Sequence, residues 1–117
     1  MNLRRQGAAG EALAEAYLVE RGAKVLARNF RGGRGEIDLI VKMDGVTVFV
    51  EVKQRTTLRF GTGAMAVDAR KQQRISDAAL YYMKTNKLIG TSARFDVVEI
   101  NGGEIRHHKN AFEFRTR

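Results

Sequence analysis

The chain has 117 residues, enough for one hydrophobic core and so one domain over residues 1–117. With 44% hydrophobic and 29% charged residues it has the composition of an ordinary globular protein, and no apolar run is long enough to span a membrane. Cysteine is absent, which excludes disulfides, thiolate zinc sites and cysteine nucleophiles. No apolar segment follows Met1-Asn2-Leu3-Arg4-Arg5, so a secretory signal is not expected and a cytoplasmic location is.

Lys and Arg number 21 against 13 Asp and Glu, a net charge of +8 that suits a polyanionic partner. The charge is unevenly spread. Residues 21–34 hold five basic residues and no acid, and residues 53–74 hold six (Lys53, Arg55, Arg59, Arg70, Lys71, Arg74) against Asp68. Between them, Glu36, Asp38, Asp44 and Glu51 face a single Lys42. An acidic island lies between two basic stretches. A solvated surface with chance clustering is the plain alternative to a nucleic-acid partner.

In chain order, Ala9, Ala12, Leu13, Ala16 and Tyr17 recur at helical spacing and predict a helix over Gln6–Arg21, closed by Gly22. Lys24–Phe30 reads as a strand, and the glycine density of Arg31–Gly35 reads as a loop. Glu36–Lys42 and Val46–Lys53 are rich in β-branched residues and flank Asp44-Gly45, a pair that favours a type I′ hairpin turn. Gln54–Val67 reads as irregular. A second helix is expected from an Asp68 N-cap to about Asn86, with Ile75, Ala78, Ala79, Tyr82 and Met83 as its apolar face. Strands at Ala93–Ile100 and Glu104–His108 follow, and the Phe112/Phe114 tail is expected to dock or pair at an edge. The order α-β-β-β-α-β-β fits an α/β domain with a central mixed sheet flanked by helices.

The hairpin carries the chemistry. With a two-residue turn, Met43 faces Val46, Val41 faces Val48, Leu39 faces Val50, Asp38 faces Glu51 and Glu36 faces Lys53. Alternation then puts Ile37, Leu39, Val41, Val48, Val50 and Val52 on one face, and Glu36, Asp38, Ile40, Phe49, Glu51 and Lys53 on the other. Directly opposed carboxylates destabilise a sheet, with Cβ atoms about 5 Å apart. A divalent cation between them removes the conflict, and two carboxylates with several waters suit Mg²⁺. Lys53 points to the same side, where its ammonium can orient a water or hold a phosphate. Such a metal lowers the pKa of the attacking water and offsets charge on the developing transition state. The competing expectation is an ordinary salt bridge from Lys53 to Glu36 or Glu51.

Ile37-Asp38, twelve intervening residues and Glu51-Val52-Lys53 resemble the PD-(D/E)xK motif of restriction-endonuclease-like nucleases. Gly35–Leu39, Phe49–Arg55, Phe60-Gly61 and Arg94–Val98 also look like the YraN-like bacterial family, over about Gly10 to Phe112. That family is placed by fold near archaeal Holliday-junction resolvases. The resemblance implies a restriction-endonuclease-like αβββαβ core with Asp38, Glu51 and Lys53 as the catalytic trio. It also implies a metal held by Asp38 and Glu51 with Glu11, a helical glutamate before the first strand, as a further acid. The motif's proline is replaced by Ile37, in a chain with no proline at all.

Glu11 shares a helical stripe with Ala14 and Leu18 and so can face the sheet, although a surface position near a helix N-terminus is an equal alternative. Arg34, Arg55, Lys71 and Arg74 are candidate phosphate contacts, with a solvated basic face as the alternative. His107 and His108 point to opposite faces of a strand and cannot share a metal, and Asp96 reads as a structural hydrogen-bonding residue. The expected function is a Mg²⁺- or Mn²⁺-dependent endonuclease acting on nucleic acid, most readily DNA in repair or recombination and in branched form. The alternative is a non-catalytic nucleic-acid-binding module that keeps the fold. Small junction-cutting relatives by fold act as homodimers, so a homodimer is a further expectation.

Overall fold

The computed structural model describes residues 3–55 and 67–115, with side chains from Ala9 onward. Helix α1 (Leu3–Glu20) leads into strands β1 (Lys24–Gly32), β2 (Gly35–Met43) and β3 (Val46–Arg55). Helix α2 (Ala69–Thr85) and strands β4 (Ala93–Asn101) and β5 (Glu104–Phe112) complete the described chain. The strands form one sheet in sequence order, antiparallel except where β4 runs parallel to β3. That parallel step needs a crossover, and α2 supplies it. The element order and the mixed sheet flanked by two helices are those expected, and no described helix is long and apolar enough to cross a membrane.

The central hairpin follows its pattern from the turn as far as Leu39. Met43–Val46, Val41–Val48 and Leu39–Val50 are partners, and Asp44 and Gly45 both take positive φ (51° and 78°), as a type I′ turn requires. Beyond Leu39 the ladder between β2 and β3 stops. Asp38 and Glu51 are therefore not a ladder pair, and neither are Glu36 and Lys53. The main chain also changes side there. Ile37 packs with Ile40 and Phe49, not with Leu39 and Val41 as strict alternation requires. Across on β1, Asn29 lies between the pairs Arg28–Leu39 and Phe30–Ile37 with φ +48°. Two neighbouring strands are thus bent at one level of the sheet.

Both faces of the sheet are buried. Ile75, Ala78, Ala79, Tyr82 and Met83 of α2 pack on Ile37, Ile40, Phe49, Phe95, Val97 and Phe112. Ala14 and Leu18 of α1 pack on Leu39, Val41, Val48, Val50, Val98 and Ile100. The α2 face is the one its periodicity predicts, and Asp68 caps it by accepting from the Lys71 N–H at 2.8 Å. The α1 face is not. Ala9, Ala12, Leu13 and Ala16 are exposed and Tyr17 is half-buried, while Gly10, Ala14 and Leu18 face the sheet. Gly10 lies so close to Gln54 that a Cβ would come within 2.7 Å of its side-chain oxygen, so the smallest residues mark the contact side.

Other expected boundaries shift. Arg31–Gly35 is not a loop: Gly32 pairs with Gly35 around a two-residue turn at Gly33-Arg34. The glycines serve a close approach, because a Cβ on Gly35 would overlap the Arg74 carbonyl of α2. Gly35→Ala is accordingly expected to cost about 3 kcal/mol, by forcing a strand off a helix backbone that cannot yield. Urea denaturation at neutral pH measures it, and a loss under about 0.5 kcal/mol, typical of an unconstrained surface position, would contradict the close approach. Gln54 and Arg55 extend β3 instead of opening an irregular stretch, and 56–66 of that stretch lie outside the described residues. The tail continues β5 to Phe112, whose ring stacks on Phe95 with centroids 4.8 Å apart.

Candidate functional site

Where the β2–β3 ladder ends, Asp38 takes over its bonding. Its Oδ2 accepts from the Val52 N–H at 2.8 Å, a donor that β2 would otherwise meet with a carbonyl. This holds Asp38 against β3, beside Glu51. The two carboxyls lie close enough that each acts on the other's protonation. Asp38 and Glu51 thus come together as expected, through side chains reaching across a split in the sheet rather than through opposed ladder positions.

The pair is strongly perturbed. Burial first, and the Asp38 charge second, push the Glu51 carboxyl up to about 7, against the pull of Lys71. Burial also raises Asp38, although the Val52 N–H and Lys71 act the other way. The cation that Glu51 meets is on α2: Lys71 Nζ lies 2.5 Å from Glu51 Oε1. Burial by itself would lower the Lys71 pKa; the hydrogen bond to Glu51 and the charges of Glu51, Asp38 and Glu36 outweigh it and raise it.

Lys53 follows Glu51 on the same side of β3, half-buried, and its register partner on β4 is Glu99. Glu36 turns outward and pairs with Arg31 at 3.0 Å, not with Lys53. Glu11 is half-buried on α1, in contact with Asp38, and its pKa is raised by burial and then by the Asp38 charge. The Asn29 side-chain amide opposes that rise; with its nitrogen turned toward Glu11 it donates to both carboxylate oxygens at 3.2 Å. Glu11, Asp38 and Glu51 form a chain of contacts rather than a ring. Among the described residues, no three Asp, Glu or His side chains converge on one point closely enough to share an ion.

Around this centre the basic residues sort into two groups. Arg31, Arg34, Arg70, Lys71 and Arg74 line an open groove of about 880 Å³ between the β1–β2 tip and the start of α2, with Glu36 and Asp68 as its acids. Arg34, Lys71 and Arg74 are thereby brought together. Arg55 stands apart, ion-paired at 3.2 Å to buried Glu99, which also meets His108 at 2.6 Å. His107 turns to the other face and meets Asp96 at 2.7 Å, so the two histidines part as alternation requires.

No pattern in the sequence by itself marks the Lys71–Glu51 pair, Arg70 or Asn29 as parts of the site. A signal for Lys71 was present: it precedes Ile75 by one turn and so shares the face that packs on Phe49. For Asn29 there was none, because its role depends on a backbone bend that the strand pattern does not record.

The family model described as "Uncharacterised protein family UPF0102" matches residues 10–100. The chain belongs to that family. A UPF0102 protein of Clostridioides difficile is 43% identical over 114 residues, covering 96% of this chain and 100% of that one. One of Lachnoclostridium phytofermentans is 45% identical, covering 97% of each. One of Halorhodospira halophila is 46% identical, covering 93% and 88%. Among solved structures, Pyrococcus furiosus SfsA in complex with Ca²⁺ is similar at a TM-score of 0.38 with 18% identity, covering 96% of this chain and 65% of that one.

Proposed function

We propose that this UPF0102 protein is a divalent-metal-dependent endonuclease of restriction-endonuclease-like fold, acting on nucleic acid, with DNA in repair or recombination as its setting. The observation that carries the reading is the convergence of two carboxyls at the end of the ladder, Asp38 held against β3 by the Val52 N–H and Glu51 beside it on Lys71. A buried Glu51 and a half-buried Asp38 held together, their protonation equilibria displaced upward, are a poor structural device and a good cation site. The donor set fits Mg²⁺ or Mn²⁺, since Mg²⁺ is bound through one or two carboxylates and retains waters. Asp38 and Glu51 would hold the ion, with Glu11 behind Asp38. When bound, such an ion supplies an acidified water and offsets charge on the reacting phosphate.

The chain's own groups have distinct parts. The Val52 N–H fixes the Asp38 carboxyl, leaving its second oxygen for the ion. Lys53, beyond Glu51 on the same side of β3, orients a water or holds the scissile phosphate. Arg31, Arg34, Arg70 and Arg74 grip flanking phosphates along the groove, which Lys71 joins to the acid pair.

Incubation of the purified protein with branched, single-stranded and duplex DNA and Mg²⁺ or Mn²⁺ tests this, with Asp38→Ala and Lys53→Ala as controls. Cleavage lost in both is expected, and cleavage that survives both overturns the mechanism. Binding without cleavage under every condition would favour a non-catalytic binding module. In the same assays, replacing Arg34, Arg70 and Arg74 together by Ala is expected to make the salt dependence of binding shallower by about 3 in log–log slope. An unchanged slope would move the nucleic acid away from the groove.

A further inference from the structure

One residue belongs to both halves of the site. Lys71 lines the basic groove and also closes on Glu51 at 2.5 Å, with half of its side chain exposed while that of Glu51 is 5% exposed. Its ammonium stands in the field of Glu51, Asp38 and Glu36 together. These are the charges that a divalent cation at the acid pair would meet. A lysine ammonium and a divalent cation compete for one carboxylate, because each satisfies the same negative charge and the same oxygen.

We propose that Lys71 is the resident counter-ion of the Asp38–Glu51 pair, and that it exchanges Glu51 for a phosphate oxygen of the bound strand when a divalent cation enters. The proposal rests on the metal-dependent reading of that pair. Lys71 sits on the first turns of α2, fixed there by the Asp68 cap, and its flexible stem lets the ammonium move while the helix stays in place. The groove beside it already gathers Arg31, Arg34, Arg70 and Arg74, so a phosphate drawn there arrives within the reach of the same side chain. Phosphate and metal then favour each other. A phosphate that attracts Lys71 vacates Glu51 for the cation, and a cation that occupies Glu51 frees Lys71 for phosphate. Without nucleic acid, Lys71 keeps metal affinity low, and the site assembles when the substrate arrives. Lys71 is a positioning residue in this scheme, acting on the metal site through Glu51.

Mn²⁺ binding to the intact protein in the absence of nucleic acid, followed by electron paramagnetic resonance and calorimetry, provides the test. Lys71→Met is expected to bind Mn²⁺ about tenfold more tightly than the parent, Lys71→Arg no more tightly, and Glu51→Gln to lose binding. The thermal midpoint of Lys71→Met is expected to rise further on Mn²⁺ addition than that of the parent. If Lys71→Met fails to fold, Lys71→Gln removes the same charge while keeping a hydrogen-bond donor. Equal Mn²⁺ affinity in the parent and the charge-removed variant overturns the counter-ion role and leaves the metal site standing. No Mn²⁺ binding in either, or binding that survives Glu51→Gln, overturns the metal-site reading and this inference with it.

Discussion

Asp38→Asn and Glu51→Gln are each expected to lower cleavage by about a thousandfold while leaving the fold intact, and Glu51→Gln is expected to be the more stable protein at pH 8. The loss of rate follows from removing one of the two carboxylates proposed to hold the ion, whose stabilisation of charge is realised only as the transition state forms. Losses of preorganised electrostatic stabilisation of this kind cost about 3–4 kcal/mol, or 10²–10³ in rate. Asparagine retains an oxygen for the Val52 N–H, so Asp38→Asn separates chemistry from the patch at the ladder's end. Asp38→Ala does not.

The stability gain has a defined pH window. Burial and the Asp38 charge raise Glu51 from an ordinary 4.5 to about 7 in the folded protein. The unfolded chain releases that proton near its ordinary value, whereas the folded chain holds it. The stability tied to the proton is therefore complete below pH 4.5 and is lost as pH rises through about 7. At roughly 1.4 kcal/mol per pH unit, with the pull of Lys71 already contained in the value of about 7, the amide should recover on the order of 3 kcal/mol at pH 8. That is roughly 12 °C in thermal midpoint for a domain of this size, vanishing near pH 4.5. Thermal melts of the parent and Glu51→Gln across this range, with divalent ions chelated, read the effect. A lower midpoint for Glu51→Gln at pH 8 would mean that the Lys71 pair outweighs the burial penalty.

The sequence carried the hairpin and the α2 face because each rests on a short-range rule. Asp44-Gly45 fixes a register in which apolar partners coincide, and Ile75 to Met83 repeat at helical spacing around a capped start. The α1 face was not legible because alanines at 9, 12, 14 and 16 occupy several sides of the helix, so hydrophobic spacing does not single out one. Close approach does, and its traces were glycine at position 10 and the stripe that Ala14 and Leu18 share with Glu11. Ile37 departs for another reason: alternation assumes an unbroken strand, and the ladder breaks at Asp38, one of the two acids of the proposed site. Departures from local rules are expected where function is built. Register put Asp38 and Glu51 side by side, but that they meet past the end of the ladder, through side chains, was not readable from it. Lys71 on Glu51, and Arg55 on Glu99, depend on tertiary packing that joins distant segments.

Asp96 patches a second break in the sheet, and its removal is the largest stability loss expected outside the apolar core. Between Phe95–Phe112 and Val97–His108 the β4–β5 register shifts, leaving residues of β5 without a ladder partner. Asn110 takes φ +51° there and donates its N–H to Asp96 Oδ1 at 2.9 Å. Arg94 approaches both carboxylate oxygens, at 2.9 and 3.3 Å, and His107 closes on Oδ2 at 2.7 Å. Burial works to raise the Asp96 pKa, but His107, Arg94 and the Asn110 N–H outweigh it and hold the carboxyl below its ordinary value. Asp96 therefore contributes stability that is present above the ordinary carboxylate range and lost as pH falls through its lowered folded value. Asp96→Ala would strand the Asn110 backbone donor, a half-buried guanidinium and a histidine at once. Breaking a buried charged network in this way costs on the order of 3–5 kcal/mol, or roughly 15 °C. Urea and thermal denaturation at pH 7 measure it, and an effect under about 1 kcal/mol would mean that water replaces the carboxylate. Asp96 lies with Val98 and Ile100 on the α1 side of β4, away from the α2 groove, so Asp96→Ala assayed below its melting range should still bind Mn²⁺. That result would separate the acid that holds the sheet together from the two acids assigned to the chemistry.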